Sequence, residues 1–243
     1  MDLERLHPTK NNLQEILQQF PDHKQRYELA KNYAINLVVA DIACGAGYGS
    51  YLISSVAKIV HGYDIDIQAI SHAKKNFKTN NNDFFLYENS LKKDYYDLAV
   101  SFETLEHMDE KDGDIFLENI FKSLKGGGIL LISTPINRMK NKVNVTPFHL
   151  REYSDDEFIE KLKKNGFKIE KMLGQGGSTQ VILHKKSFGV SIFAVLKSGL
   201  HKIIPKIIRR FVWNKFFNSN NSSLTISEDN WRNQAIQIAV CRK

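Results

Sequence analysis

The stretch LVVADIACGAGYG (37–49) restricts the fold of this 243-residue chain more than any other. A short apolar run, 37–42, stops at a turn carrying Gly45, Gly47 and Gly49, and SYLISSVA continues with helical character. An apolar run of that length reads as a buried strand. A buried strand that turns directly into a helix opens a strand–helix–strand unit, and the pattern recurs. KIVHGYDI (58–65) reads as a second strand and DIQAISHAKKNF (66–77) as a helix capped by Asp66. DFFLYEN (83–89) and YDLAVSF (96–102) read as the third and fourth strands. In 113–125, Ile115, Phe116, Ile120 and Leu124 fall near helical spacing, and GGGILLIST (126–134) reads as a fifth strand.

Further on, Ser154 and Glu157 form a capping-box pattern, and Gly166 suits the end of the helix they begin. FKIEKML (167–173) is the expected sixth strand and AIQIAVCRK (235–243) the seventh. Before them all, 11–34 read as one or two helices interrupted by Pro21. Alternating strands and helices predict a parallel sheet covered on both faces. Ligands then gather at the carboxyl ends of the strands, near the reversal of strand order. The expected parts are an N-terminal helical cap (1–36), an α/β core (37–174), an insertion (175–234) and a final strand (235–243). The insertion has a GQGG entry, a helical pair around 188–217 and a polar NSNNSS loop.

Composition narrows the function classes. With 42% hydrophobic and 25% charged residues the chain has the balance of an ordinary globular protein. No 18-residue apolar run or signal-type start is present, so no transmembrane helix is expected. Cys44 and Cys241 lie in unlike contexts, which argues against a disulfide framework or zinc site and for a reducing cytoplasm. The net charge is +7, and 171–227 hold nine basic side chains with no Asp or Glu. The rest is close to neutral, unlike a nucleic-acid binder with basic charge spread over its surface.

Chemistry concentrates where strands end. Gly45 and Gly47 allow a tight turn and close approach to a ligand. The glycine spacing is not the G-x-G-x-x-G of a dinucleotide fold, and Asp41 at the strand end would repel a pyrophosphate. An acid there suits a ligand carrying an ammonium group. Asp64, at the end of the second strand, can accept both hydroxyls of a ribose. His107, after the fourth strand, and His149, after the fifth, leave the same sheet edge and are candidate proton acceptors. His107 could instead cap a helix or bond Glu103, and His149 could simply order its loop. Glu103 and Glu106 could hold a histidine tautomer or contact the ligand. Asp109, Asp112 and Asp114 read as a solvated helix start, and without an acidic set after the fourth or fifth strand no metal site is expected.

VVADIACGAGYGSYL, HGYDID, YDLAVSFETLEHM, LKGGGILLISTP and TPFHLREYS resemble, in order over about 37–155, the successive motifs of class I S-adenosylmethionine-dependent methyltransferases. With ERLHP (4–8) and HKQRY (23–27), the chain is most similar to the small methyltransferases associated with bacterial surface-polysaccharide biosynthesis. The resemblance implies a Rossmann-like, seven-stranded, mostly parallel sheet with helices on both faces. Its last strand is antiparallel, and a helical insertion lies between strands six and seven. It implies S-adenosylmethionine as cofactor and S-adenosylhomocysteine as product. Asp41 and the backbone of Ala43, Cys44 and Gly45, with Gly47 completing the turn, would hold the methionine part. Arg26 would meet its carboxylate. Asp64 would bind the ribose, Ile65 would pack on the adenine, Asn89 would meet its amino group and Ser90 would add a backbone contact. Ser101, Phe102 and Glu103 would lie where methyl group and acceptor meet.

The function this implies is O-methylation of a sugar hydroxyl, on a surface glycan or its nucleotide-linked precursor, with a histidine base. The basic insertion would be a solvated lid, a clamp for a phosphorylated acceptor or, through 197–217, a membrane-surface contact. Methylation of tRNA or another RNA, N-methylation of a sugar amine and a non-catalytic cofactor-binding regulator are the alternatives. No RNA-binding module accompanies the basic segment, so nucleic acid is the weaker expectation.

Overall fold

The computed structural model describes residues 8–88, 91–137, 149–176 and 226–243. The element order is α1 (Leu13–Gln19), α2 (Pro21–Ala34), β1 (Val38–Ile42), α3 (Tyr48–Ser54), β2 (Ile59–Asp64), α4 (Ile67–Phe77) and β3 (Asn82–Leu86). β4 (Tyr96–Phe102), α5 (Glu110–Ser123), β5 (Leu124–Pro135), α6 (Asp155–Lys164), β6 (Lys168–Gln175) and β7 (Ile236–Arg242) follow. The seven strands form one sheet in the order β3-β2-β1-β4-β5-β7-β6. The first five pair in parallel, and β7 runs antiparallel to both β5 and β6. This is the expected Rossmann-like architecture.

The period of two along each strand builds two cores. Val39, Val60, Leu98, Val100 and Leu131 point to a layer shared with Leu17, Ala30, Ile53, Ile70 and Phe77 of α1 to α4. Ala40, Ile42, Ala99, Leu130 and Ile132 point the other way, onto Phe116, Leu117 and Ile120 of α5 and Phe158 and Leu162 of α6. Cys44 belongs to the first layer and Cys241 to the second, and both are free thiols.

Local sequence signals place the helices. Pro21 opens α2 at its first position, where a missing N–H costs nothing. Asp66 caps α4 by accepting from the Gln68 amide at 2.8 Å. Ser154 and Glu157 form the full capping box of α6. Several boundaries differ from the sequence reading, three of them with a plain local cause or partner. α5 begins at Glu110, because Asp109 accepts from the Asp112 amide and caps it. β5 begins at Leu124, which pairs with Tyr96, and β3 ends at Leu86. Asp114 is not part of a solvated helix start: it holds Lys161 at 2.9 Å and Lys164 at 3.0 Å, clamping α5 to α6, and although burial raises its pKa, the bonds from Asn165, Lys161 and Lys164 pull it below the usual carboxylate range.

The order places the switch at β1, whose neighbours are β2 on one side and β4 on the other. Chains leaving β1 and β4 diverge there and open the carboxyl edge. The proposed helical pair at 188–217 lies outside the described residues, as does most of the basic segment. No helix among the described residues is long and apolar enough to cross a membrane.

Replacing Ser154 by Ala removes the capping box and should cost about 1 kcal/mol in chemical denaturation with an unchanged dependence on denaturant.

Candidate functional site

Asp41 stands next to the last residue of β1 with its carboxylate buried, accepting from Ser50 Oγ at 2.6 Å. Burial pushes its pKa up to about 7 against the bond from Ser50, and the nearby Asp64 charge pushes the same way. The chain then turns through Ala43 at φ +62° and Gly45 at φ +53°, and Gly47 at φ +86° caps α3. A left-handed alanine is strained, and such positions persist where the surroundings over-determine them. Two glycines of the turn have different jobs. A Cβ on Gly45 would meet nothing within 4 Å, so its backbone borders open space. A Cβ on Gly47 would stand 2.5 Å from Ala73 Cβ and 2.8 Å from Phe84, so Gly47 lets α4 and β3 pack beneath the loop.

Asp64 ends β2 and binds the loop. Its Oδ2 accepts from the Gly45 amide at 2.8 Å and its Oδ1 from the Asp66 amide at 2.9 Å. Ile65 beside it is 74% exposed, as a platform for an apolar ring requires. Asn89 and Ser90 lie outside the described residues.

α2 lies over the ends of β1 and β4. Tyr27 meets Phe102 and Tyr48 edge to face, with ring centroids 5.4 and 5.6 Å apart. This brings in Arg26, which is buried and donates from Nη1 to Gln175 Oε1 at 2.6 Å. Gln175 is in turn held by the Asp22 carbonyl at 3.0 Å. Among the described residues no carboxylate forms an ion pair with Arg26. Burial, with the Arg26 charge second, lowers the His23 pKa to about 3, so His23 is neutral beside Tyr48, whose hydroxyl lies 2.6 Å from Nδ1.

The other half of the edge follows β4 and β5. Ser101 is fully buried, with no hydrogen-bond partner for its Oγ among the described residues, and Phe102 is half-buried. Glu103, at φ +52°, accepts from Ser133 Oγ at 2.6 Å, which ties it to β5. Glu106 is buried and accepts from Thr134 Oγ1 at 3.0 Å. Burial, reinforced by Glu103, pushes its pKa well up. The Glu106 carbonyl receives the Leu150 and Arg151 amides at 2.9 and 3.0 Å, which docks the segment carrying His149. The rings of His107 and His149 are perpendicular, with centroids 5.1 Å apart. His149 Nδ1 lies 2.6 Å from the buried Glu152 carboxylate. Ligand-capable atoms of Glu106, His107 and His149 all lie within 4.8 Å of one another. The absence of an acidic set after the fourth or fifth strand predicted no metal site, and two of the three members of this cluster are histidines.

Sequence reasoning singled out Asp41, Gly45, Asp64, Arg26, His107 and His149, and the structure brings them to one sheet edge. It missed Ser50, Gln175 and Glu152. Only Glu152 had a local signal, three residues after His149 on the same loop.

Residues 35–206 match the methyltransferase domain family, and the chain belongs to that family. A probable S-adenosylmethionine-dependent methyltransferase of Mycolicibacterium smegmatis is 32% identical over 64% of this chain and 61% of its own. One from Mycobacterium tuberculosis is 33% identical over 56% of this chain and 50% of its own, so the chain spans little more than half the length of these relatives. Among solved structures, a possible histamine N-methyltransferase of Thermotoga maritima aligns with a TM-score of 0.61 at 16% identity, covering 96% of this chain and 97% of that one. The magnesium protoporphyrin IX methyltransferase of Synechocystis, with S-adenosylhomocysteine bound, aligns with a TM-score of 0.51 at 19% identity over 65% of this chain and 76% of its own. At these identities the structural likeness shows the fold.

The raised Asp41 pKa fixes the sign of a stability test. The folded protein keeps a proton that the unfolded chain releases from about pH 4 upward. Its stabilising effect is therefore fullest below the unfolded value of 3.8 and is lost as pH rises through about 7. Asp41→Asn keeps an acceptor for Ser50 and removes the buried charge. Without ligand it should melt several degrees above wild type at pH 8, with the gap closing toward pH 5. A constant gap would place the titration elsewhere.

Proposed function

We propose that this chain is an S-adenosylmethionine-dependent methyltransferase that methylates a sugar hydroxyl on a surface glycan or its nucleotide-linked precursor. The observation that carries the methyltransferase reading is the division of one sheet edge into a ligand loop with two carboxylates and a buried guanidinium, and a histidine pair across from it. The sugar acceptor draws its support from the sequence resemblance.

The residues fit the cofactor. Asp41 is a buried carboxylate whose charged form an ammonium group would favour. Arg26 is a buried guanidinium suited to a carboxylate. Asp64 stands where ribose hydroxyls can be accepted, next to the exposed Ile65. The Gly45 backbone borders open space that a ligand can occupy. When bound, the cofactor supplies an electrophilic methyl group on a sulfonium.

The chain's own residues align the acceptor and manage its proton. Arg26, Asp41 and Asp64 fix the donor side, and α2 shields it through Tyr27. Alignment of nucleophile and methyl supplies much of the rate. A hydroxyl must also lose its proton, and in the simplest form an imidazole of the His107–His149 pair takes it. Glu152 lies 2.6 Å from His149 Nδ1 and fixes the orientation of that ring. A positioned base of this kind is worth roughly 10²–10⁴-fold. The basic segment 171–227 would recruit a phosphorylated or nucleotide-linked acceptor by charge. Two buried free thiols fit the cytoplasmic location expected from sequence.

Calorimetry with S-adenosylmethionine and a panel of sugar nucleotides tests this reading. Asp64→Ala should weaken cofactor binding at least tenfold; unchanged affinity would remove the ribose from Asp64. His107→Ala and His149→Ala should lower turnover about 100-fold or more with cofactor affinity kept. Neutralising Lys206, Arg209 and Arg210 together should raise KM for a phosphorylated acceptor and flatten its salt dependence. An unaffected KM would remove these three charges from acceptor binding.

A further inference from the structure

We propose that Glu106, His107 and His149 bind one divalent first-row transition cation, which holds the acceptor hydroxyl. The inference rests on the methyltransferase reading for its role, and on the geometry of the three side chains for the site.

The donor atoms lie within 4.8 Å of one another. Bonds of about 2.0–2.2 Å to a common cation put ligand atoms roughly 3–4 Å apart, so side-chain adjustment suffices to close the set. Two imidazole nitrogens and one carboxylate oxygen form a three-ligand group with positions left open. Such a set suits zinc, manganese, iron or cobalt ions better than magnesium or calcium, which prefer oxygen throughout.

The surroundings are those of a ligand set. Glu106 is buried, and none of the ion pairs among the described residues includes it. A buried carboxylate without a cationic partner is costly unless it is protonated or coordinates a metal. Thr134 Oγ1 orients one of its oxygens at 3.0 Å. Glu152 orients the His149 ring through Nδ1 at 2.6 Å, as outer-shell carboxylates do for ligating histidines. The Leu150 and Arg151 amides on the Glu106 carbonyl lock the two loops that supply the ligands. Glu106 is buried, His149 half-buried and His107 exposed, so the open positions face the exposed side of the cluster.

The proposed chemistry balances without a further reactant. A hydroxyl bound to the cation releases its proton to water more readily. The oxygen's electron pair then forms the O–C bond to the methyl carbon. The S–C bond breaks with its pair on sulfur, giving a neutral thioether, and the methyl ether leaves the cation. With a cation bound, the imidazoles are ligands, and the base of the simplest scheme is replaced by water.

Chelator-treated protein would be titrated with Co²⁺, following visible absorption, while calorimetry follows S-adenosylhomocysteine in the same samples. Wild type should take one Co²⁺ per chain with new visible bands. Glu106→Gln, His107→Ala and His149→Ala should each weaken uptake at least tenfold, with S-adenosylhomocysteine affinity unchanged. His107 is exposed, so its variant keeps the test valid should a buried substitution unfold the chain. His72→Ala, remote from the cluster, should bind as wild type does. Absence of stoichiometric uptake, or equal uptake by the variants, would overturn the site. If that happens while S-adenosylhomocysteine still binds, the methyltransferase reading stands with an imidazole base. Cobalt uptake that depends on the three side chains in a protein that takes no S-adenosylhomocysteine would support the site and overturn the reading behind its role.

Discussion

β1 is the strand on which the rest of the structure depends. It is the central parallel strand, paired with β2 on one side and β4 on the other, and the direction of chain crossing reverses at it. The loops after β1 and β4 must therefore leave toward opposite faces, and a cleft opens between them. The candidate functional groups among the described residues stand on that edge, where the topology makes the loops converge. Behind the edge the sheet packs into two apolar layers, and Asp41 and Glu106 are acids buried at their rim beside Ser50 and Thr134.

That environment gives the two sides of the cleft different chemistry. On one side the Asp41 carboxylate, held by Ser50, and the Arg26 guanidinium, held by Gln175, are oppositely charged groups set apart from each other. A zwitterionic ligand end would satisfy both. On the other side Glu106, His107 and His149 converge, braced by Thr134 and Glu152. Burial raises both the Asp41 and the Glu106 pKa, and a cationic partner would favour the charged form of each.

The parts legible in the sequence were local. Asp66 as a cap, the Ser154–Glu157 capping box and the turn at Gly45 and Gly47 are decided by neighbours within a few residues, and the structure has them. The apolar run at 37–42 was legible as a buried strand, while the structure sends Val39 and Ala40 to different helical layers. What escaped the sequence depends on distant partners. Arg26 meets Gln175 only because β6 ends beside α2, and Asp114 meets Lys161 only because α5 and α6 share a face. The sequence put His107 and His149 on one edge with Glu106 as a possible histidine partner, but the convergence of the three within 4.8 Å was not legible for a similar reason. The three come from two loops brought together by backbone bonds to Glu106 that no spacing rule encodes, and only one of them is an acid.

The central claim is that one cofactor spans the cleft from the β1 loop to the histidine pair. A crystal structure of the full chain with S-adenosylhomocysteine tests it most directly. The account predicts ribose hydroxyls on Asp64, the amino-acid end between Asp41 and Arg26, and the sulfur facing Glu106, His107 and His149. S-adenosylhomocysteine bound elsewhere, or with its sulfur turned away from that cluster, would contradict it.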